Sequence, residues 1–270
     1  MSERDYVLGT HDAEIERLGM QHRVWRPRAL GAWQRAGIAA GQTVIDLGAG
    51  PGFAALDLAE IVGRGGRVIA VERSRRFLDA LETMARGREL ANITTVEADI
   101  VDASFGEAVA DASWCRWVLS FVRDPKAVVN HLSRALRPGA VAVFHEYLDY
   151  RTWRLAPRSL AFERFVVEVI ESIRTDGGFI DSALALPTTL CDAGFDIVEF
   201  NPIIDVVPPS SAIWQWPAGF ANLFFERLVA TGQMSTGDAL AARQALLAAQ
   251  AEPRSLMITP MVLEIIARKH

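Results

Sequence analysis

Three carboxylates stand at the ends of three successive apolar runs. Asp46 lies in Val44-Ile45-Asp46-Leu47, Glu72 follows Val68 to Val71, and Asp99 follows Val96-Glu97-Ala98. Such side chains accept hydrogen bonds from hydroxyl and amino groups and attract ammonium groups, whereas a phosphate ligand would need cations. Between the first two acids the chain carries Gly48, Gly50 and Gly52 before Phe53. Glycines there remove Cβ where the backbone turns sharply from strand to helix, so that free N–H groups face a ligand. A dinucleotide site would use G-x-G-x-x-G, and this spacing, with Phe53 where a small residue belongs, departs from it. Asp46, two residues before the first glycine, is better placed beside an ammonium group than beside a pyrophosphate. Glu72 can accept from two ribose hydroxyls, and Asp99 from an adenine amino group while Ile100 packs on the ring. The pattern reads as a site for a nucleoside without phosphates.

A second constellation is His145-Glu146-Tyr147, followed by Asp149, Tyr150 and Trp153. Strand alternation puts His145 and Tyr147 on one face and Glu146 on the other. Imidazole accepts a proton near neutrality. His145 or Glu146 is therefore a candidate catalytic or substrate-orienting group, weighed against a hydrogen-bonded structural pair. His11, His131 and His270 are expected in solvent, and His22 stands between the two readings. No spacing of histidines, cysteines or carboxylates suits a metal ion. Cys115 and Cys191 lie apart in apolar stretches and imply no disulfide, and Asp124 reads as a helix cap before Pro125.

The elements that must position these groups alternate. Strands are expected at Thr43 to Leu47, Arg67 to Val71, Ile93 to Val96, Trp114 to Leu119 and Ala140 to Phe144, with helices at Phe53 to Val62, Arg75 to Arg86 and Pro125 to Leu136 between them. That rhythm predicts a parallel sheet with helices on both faces. Ahead of it, residues 11 to 36 have helical spacing, which Pro27 should break into two pieces. Behind it come a helix at Leu160 to Ile173, another near Ser182 to Cys191, a strand at Phe195 to Phe200, a helical stretch from Ile213 to Gln250, and a last strand at Leu256 to Ala267, bulged or at an edge because of Pro260. The aromatic residues Trp214, Trp216, Phe220, Phe224 and Phe225 read mostly as core, although insertions over strand ends are where a pocket roof is built.

With 28 basic and 33 acidic residues in 270, the net charge is −5, and no Lys/Arg stripe offers itself to nucleic acid. No apolar run approaches the ~18 to 20 residues of a membrane span. The charged first residues lack a signal-peptide core, so a cytoplasmic location is expected.

From about Gln42 to Glu146 the chain resembles the class I S-adenosylmethionine-dependent methyltransferases. The motifs are Asp46-Leu47-Gly48-Ala49-Gly50-Pro51-Gly52, Glu72, Ala98-Asp99-Ile100, Cys115-Arg116-Trp117-Val118-Leu119 with Asp124-Pro125 after it, and the Leu136-Arg137-Pro138-Gly139 turn. Tyr6, the helix around Gln21-His22-Arg23-Val24-Trp25 and the two insertions resemble the bacterial small-molecule branch, similar to the ubiquinone-biosynthesis type. The resemblance implies an α/β, Rossmann-like single domain, with a seven-stranded sheet whose last strand is antiparallel. Residues 1–40 would form a helical cap, 42–147 the cofactor core, and 150–178 and 208–253 substrate-side insertions. It implies S-adenosylmethionine as methyl donor, S-adenosylhomocysteine as product, no metal, and a small-molecule acceptor, with a homodimer as the assembly to test. Cofactor contacts are expected from Gln21, Trp25, Asp46, Gly48, Ala49, Gly50, Glu72, Arg73, Asp99, Ile100, Arg116 and Trp117. Substrate contacts are expected from Tyr147, Tyr150, Trp214 and Trp216, with His145 and Glu146 catalytic. Phe121 stands where many relatives carry His, so no role of that His carries over. The alternatives are a nucleotide-cofactor oxidoreductase, disfavoured by the glycine spacing and Asp46, and a non-catalytic S-adenosylmethionine-binding module.

Overall fold

Buried apolar strands alternating with amphipathic helices generate the sheet. The computed structural model describes residues 10–270; Tyr6 lies outside the described residues. The elements in chain order are α1 (Asp12–Ala36), β1 (Thr43–Leu47), α2 (Phe53–Val62), β2 (Arg67–Glu72), α3 (Arg75–Gly87), β3 (Ile93–Glu97), β4 (Ala110–Arg116), α4 (Pro125–Ala135) and β5 (Leu136–Asp149). They continue with β6 (Arg154–Ala156), α5 (Leu160–Thr175), α6 (Leu186–Asp192), β7 (Phe195–Ile203), β8 (Val206–Val207), α7 (Gln215–Ala230), α8 (Thr236–Ala251), β9 (Leu256–Ile258) and β10 (Met261–Lys269). The main sheet has seven strands in the order β3-β2-β1-β4-β5-β10-β7. β1 to β5 pair in parallel, and β10, the last strand, runs antiparallel between β5 and β7. The order reverses beside β1, where an open α/β sheet leaves a crevice at its strand ends.

Each face of the sheet buries its own core. One packs Ala29, Ala32 and Trp33 of α1 and Leu56 and Leu58 of α2 against Val44, Trp114 and Val143. The other packs Val128 and Leu132 of α4 and Leu190 of α6 against Ile45, Cys115 and Phe144. A third core, rich in aromatic rings, joins Trp25, Trp117 and Tyr147 to residues of α5, α7 and α8.

Several expectations need correction. α1 runs unbroken through Pro27. Pro27 and Arg23, whose carbonyl loses its i+4 donor, are both on the exposed side of the helix, and burial of Trp25, Ala29 and Trp33 offsets a proline cost of about 3 kcal/mol. The fourth strand spans Ala110–Arg116 and not Trp114 to Leu119, because Trp117 turns to φ 54° and a 3₁₀ turn occupies Leu119–Phe121. The small and polar start, Ala110 to Ser113, hid the strand, and the apolar Trp117-Val118-Leu119 extended it falsely. The fifth strand extends over Leu136–Asp149. The Ser182 to Cys191 helix is a 3₁₀ turn followed by α6, and the Ile213 to Gln250 stretch is two helices, α7 and α8. The expected last strand is divided at Pro260: β9 joins β6 and β8 in a small separate sheet, and β10 enters the main one.

Candidate active site

The strand ends open into a cavity of about 820 Å³, within the roughly 300–1,000 Å³ of small-molecule sites. Its floor is the glycine turn. Gly48, Gly50 and Gly52 have φ of 62°, 54° and 83°, a region glycine enters without the Cβ penalty. A Cβ on Gly48 would stand 2.5 Å from Val118 Cγ2, and one on Gly52 2.3 Å from Leu81 Cδ1. Around Gly50 nothing lies within 4 Å of that point, so the turn leaves open space on the ligand side.

Glu72 secures this turn. One carboxylate oxygen accepts from Gly50 N at 3.0 Å and the other from Ser74 N at 2.9 Å. Burial raises its pKa, against the pull of those two N–H groups. Both oxygens keep lone pairs for a ligand. Asp99 is exposed at the cavity rim and accepts from Val101 N at 2.9 Å, with Ile100 buried beside it.

Deeper in, Asp46 is 2% exposed, and its Oδ2 has no hydrogen-bond partner among the described residues. Burial pushes its pKa up to about 7, Arg116 opposing. Arg116 is partly open to the cavity, yet its Nη1 is buried without a partner. Burial brings its pKa down to about 10, with Asp46 holding it up, so it remains a cation at neutral pH. Its guanidinium lies over the rings of Trp114 and Trp117 at 5.7 and 5.3 Å. Trp117, in the left-handed region that a bulky residue rarely enters, is held there by its N–H to the His145 carbonyl at 2.9 Å. Its ring is stacked between Tyr147 at 5.5 Å and Trp216 at 5.3 Å.

Among the expected site residues, Gln21, Asp46, Gly48, Ala49, Gly50, Glu72, Arg73, Asp99, Ile100, Arg116, Trp117 and Tyr147 border this one cavity. Trp25, His145, Glu146, Tyr150, Trp214 and Trp216 do not. Trp25 sits behind Trp117, edge to face at 4.9 Å, and Tyr150 behind Tyr147 at 4.8 Å. Trp214 is fully buried in the aromatic core. His145 is fully buried between Trp114 and Trp25. Its Nε2 is 2.7 Å from Glu264 Oε2, and Glu264 also binds Arg35 and Asn201. Burial lowers the imidazole pKa despite that carboxylate.

Glu146, also fully buried, points to the opposite face. It accepts from Val118 N at 2.9 Å, Leu119 N at 3.1 Å, Ser120 Oγ at 3.2 Å and Ser182 Oγ at 3.3 Å. It anchors the turn that carries Trp117 and Val118 to the cavity. The sequence reading missed Asp57, Arg17 and Arg227. Asp57 binds His22, which borders the cavity beside Arg116, while Arg17 and Arg227 border the same cavity with Leu18, Phe121, Ile173 and Phe220. Only the shared helical face of Arg17, Gln21 and His22 could have hinted at part of this.

Among the described residues no group of His, Cys, Asp and Glu could hold a metal ion, and no helix is long and apolar enough to cross a membrane.

A family model described as a methyltransferase domain matches residues 45–144. The chain is similar to 2-phytyl-1,4-naphtoquinone methyltransferase of Nostoc sp., 32% identical over 154 residues covering 57% of this chain and 63% of that protein. It is also similar to the protein of the same name from Synechococcus elongatus, 30% identical over 169 residues covering 60% of this chain and 70% of the relative. The chain thus spans less than two thirds of the first relative's length. Among solved structures, its fold is similar to that of geranyl diphosphate C-methyltransferase from Streptomyces coelicolor in complex with Mg2+, geranyl diphosphate and S-adenosyl-L-homocysteine. There the TM-score is 0.54 at 18% identity, covering 92% of this chain and 80% of that one.

Proposed function

The chain belongs to the class I S-adenosylmethionine-dependent methyltransferase family, and from that premise we propose that it transfers a methyl group from S-adenosylmethionine to a small, largely apolar acceptor. The observation that carries this reading is the pair of buried, unpartnered atoms, Asp46 Oδ2 and Arg116 Nη1, on the wall of one cavity. An acid and a base so placed match the zwitterionic end of an amino acid, the ammonium going to Asp46 and the carboxylate to Arg116. Glu72 would take the ribose hydroxyls and Asp99 the adenine amino group, with Ile100 against the ring. Gly48, Ala49 and Gly50 leave room for the chain between, and Gln21 and Arg73 stand at its sides.

Bound there, the cofactor supplies a sulfonium methyl group that a nucleophile displaces, the electron pair of the broken bond staying on sulfur. The protein's part is alignment and exclusion of water, which supply much of the acceleration of such a displacement. Tyr147 and Trp117, with Trp216 stacked behind them, make a rigid aromatic wall. Burial raises the Tyr147 phenol pKa, so Tyr147 orients an acceptor as a hydrogen-bond donor. Leu18, Phe121, Ile173 and Phe220 suit a partly aromatic acceptor, a class to which the naphthoquinones in the relatives' names belong. The same reading places the reaction in the cytoplasm, with neither nucleic acid nor membrane as partner, in keeping with the net charge of −5. Sedimentation would reveal a homodimer.

The test is calorimetry with S-adenosylmethionine on the wild type, Asp99→Ala and Glu72→Ala, followed by detection of S-adenosylhomocysteine when acceptors are added. Losing hydrogen bonds to a carboxylate should cost roughly 1 to 3 kcal/mol of affinity, more for Glu72 because the glycine turn loosens as well. Unchanged affinity in both variants would sink the placement. His145, packed behind the cavity wall and not on it, should behave differently. His145→Asn should lower the melting temperature and leave the pH profile of methyl transfer in place; loss of an acidic limb, the fall in rate as pH drops, at unchanged stability would restore it as a proton acceptor.

A further inference from the structure

One buried imidazole of the cavity wall has no part in the alignment just described. His22 of α1 is 5% exposed and has both ring nitrogens engaged. Nε2 lies 3.0 Å from Asp57 Oδ2 on α2, and Nδ1 lies 3.2 Å from Arg116 Nη2 at the end of β4. Asp57 Oδ2 also accepts from Arg26 Nε at 2.7 Å. Phe53 stacks on the ring with centroids 6.0 Å apart.

These partners decide the tautomer. A guanidinium only donates, so Nδ1 is the bare acceptor and the proton sits on Nε2, donated to Asp57. Burial, with the charges of Arg116 and Arg26, outweighs the pull of Asp57 and keeps the imidazole pKa below its ordinary value. The ring is therefore neutral. A neutral acceptor has a consequence that a carboxylate in its place would not have: it fixes the guanidinium in direction but leaves the positive charge uncompensated on that side. Arg116 keeps a buried, unpartnered nitrogen, Nη1, and Asp46, whose charge it feels, has an unpartnered oxygen of its own.

We propose that His22 is a positioning residue for cofactor binding, holding Arg116 by a charge-free hydrogen bond so that its cationic edge meets the carboxylate of the amino-acid end. The proposal rests on the reading of this cavity as the S-adenosylmethionine site. It assigns to Asp57 and Arg26 the task of orienting the imidazole. It also separates two roles in one cavity wall: Asp46 and Arg116 touch the ligand, whereas His22 acts through Arg116.

Two nucleosides distinguish this from simple packing: S-adenosylhomocysteine, which carries the amino-acid end, and 5′-methylthioadenosine, which lacks it. Calorimetry with both on the wild type, His22→Leu and His22→Asn gives the test. His22→Leu removes the acceptor, and S-adenosylhomocysteine affinity should fall roughly tenfold or more, the scale of a lost hydrogen bond to a charged group. Methylthioadenosine affinity should stay within about twofold, which also reports that the cavity is folded. His22→Asn keeps an oxygen acceptor near the position of Nδ1 and should recover most of the loss. Equal losses for both nucleosides, or an Asn variant as weak as the Leu variant, would overturn the positioning role. So would unchanged S-adenosylhomocysteine binding in His22→Leu. Wild-type protein that binds neither nucleoside would sink the cofactor reading itself, and the proposal with it.

Discussion

Glu146→Ala should lower stability by about 3 to 5 kcal/mol, the cost of breaking a buried ionic hydrogen-bond network by removing one partner. That is a large part of the ~5–15 kcal/mol that holds a domain folded. The N–H groups of Val118 and Leu119 and the Cys115 thiol lose their acceptor together, and the hydroxyls of Ser120 and Ser182 lose one of theirs. Burial already raises the Glu146 pKa, the Val118 and Leu119 N–H groups opposing it, so the carboxylate depends on those donors as they depend on it. The same turn presents Trp117 and Val118 to the cavity, and loosening it should weaken cofactor binding as well. Glu146→Gln retains an acceptor oxygen and should recover part of the stability. Thermal melting of both variants would check this. An Ala variant that melts like the wild type but has lost turnover would instead make Glu146 a catalytic group.

Cofactor affinity should fall steeply as pH drops below about 7. In the free protein Asp46 has a pKa near 7 because burial disfavours its charge. Pairing with a ligand ammonium needs the ionised form, so binding below that pH must first expel a proton. The sign follows from linkage: a pKa raised in the free protein and lowered in the complex favours binding at high pH and opposes it at low pH. Between pH 7 and pH 5 the loss should approach 100-fold, about tenfold per unit. Arg116, with a pKa near 10, stays charged across that window. Glu72 and His22 also face this region, so Asp46→Asn supplies the control: its affinity should be low at every pH and its profile much flatter. Calorimetry in two buffers would show proton release on binding to the wild type at pH 6 and little to the variant. A steep profile persisting in Asp46→Asn would assign the titration elsewhere.

The local code was legible where one segment both forms the element and carries the chemistry. Val44 to Phe53 contains a buried strand, a turn that only glycines enter without strain, and the acid before it. These features depend on neighbours in sequence, and Asp46, Glu72 and Asp99 do border one cavity because parallel strands joined by right-handed crossovers end on the same side. Chain-local patterning likewise determined α2 and β1 to the residue.

What tertiary structure decided were the partners of charged and polar side chains. His145 and Glu146 look alike in sequence as candidate acid–base groups. Each is consumed by a residue far along the chain or across the sheet, His145 by Glu264 on β10 and Glu146 by the turn after β4 and by Ser182. His22 stood between a solvated and a functional reading until α2 brought Asp57, 35 residues away, to its Nε2, and β4 brought Arg116, 94 residues away, to its Nδ1. Pro27 was read as a break, yet the helix continues because its far half is buried against the sheet, an energy no local propensity contains. Spacing along a chain determines which face of an element a residue occupies. Whether that face meets a ligand, a counter-charge or an aromatic ring depends on elements dozens of residues away, and the balance of burial against pairing that sets its protonation exists only once they have packed.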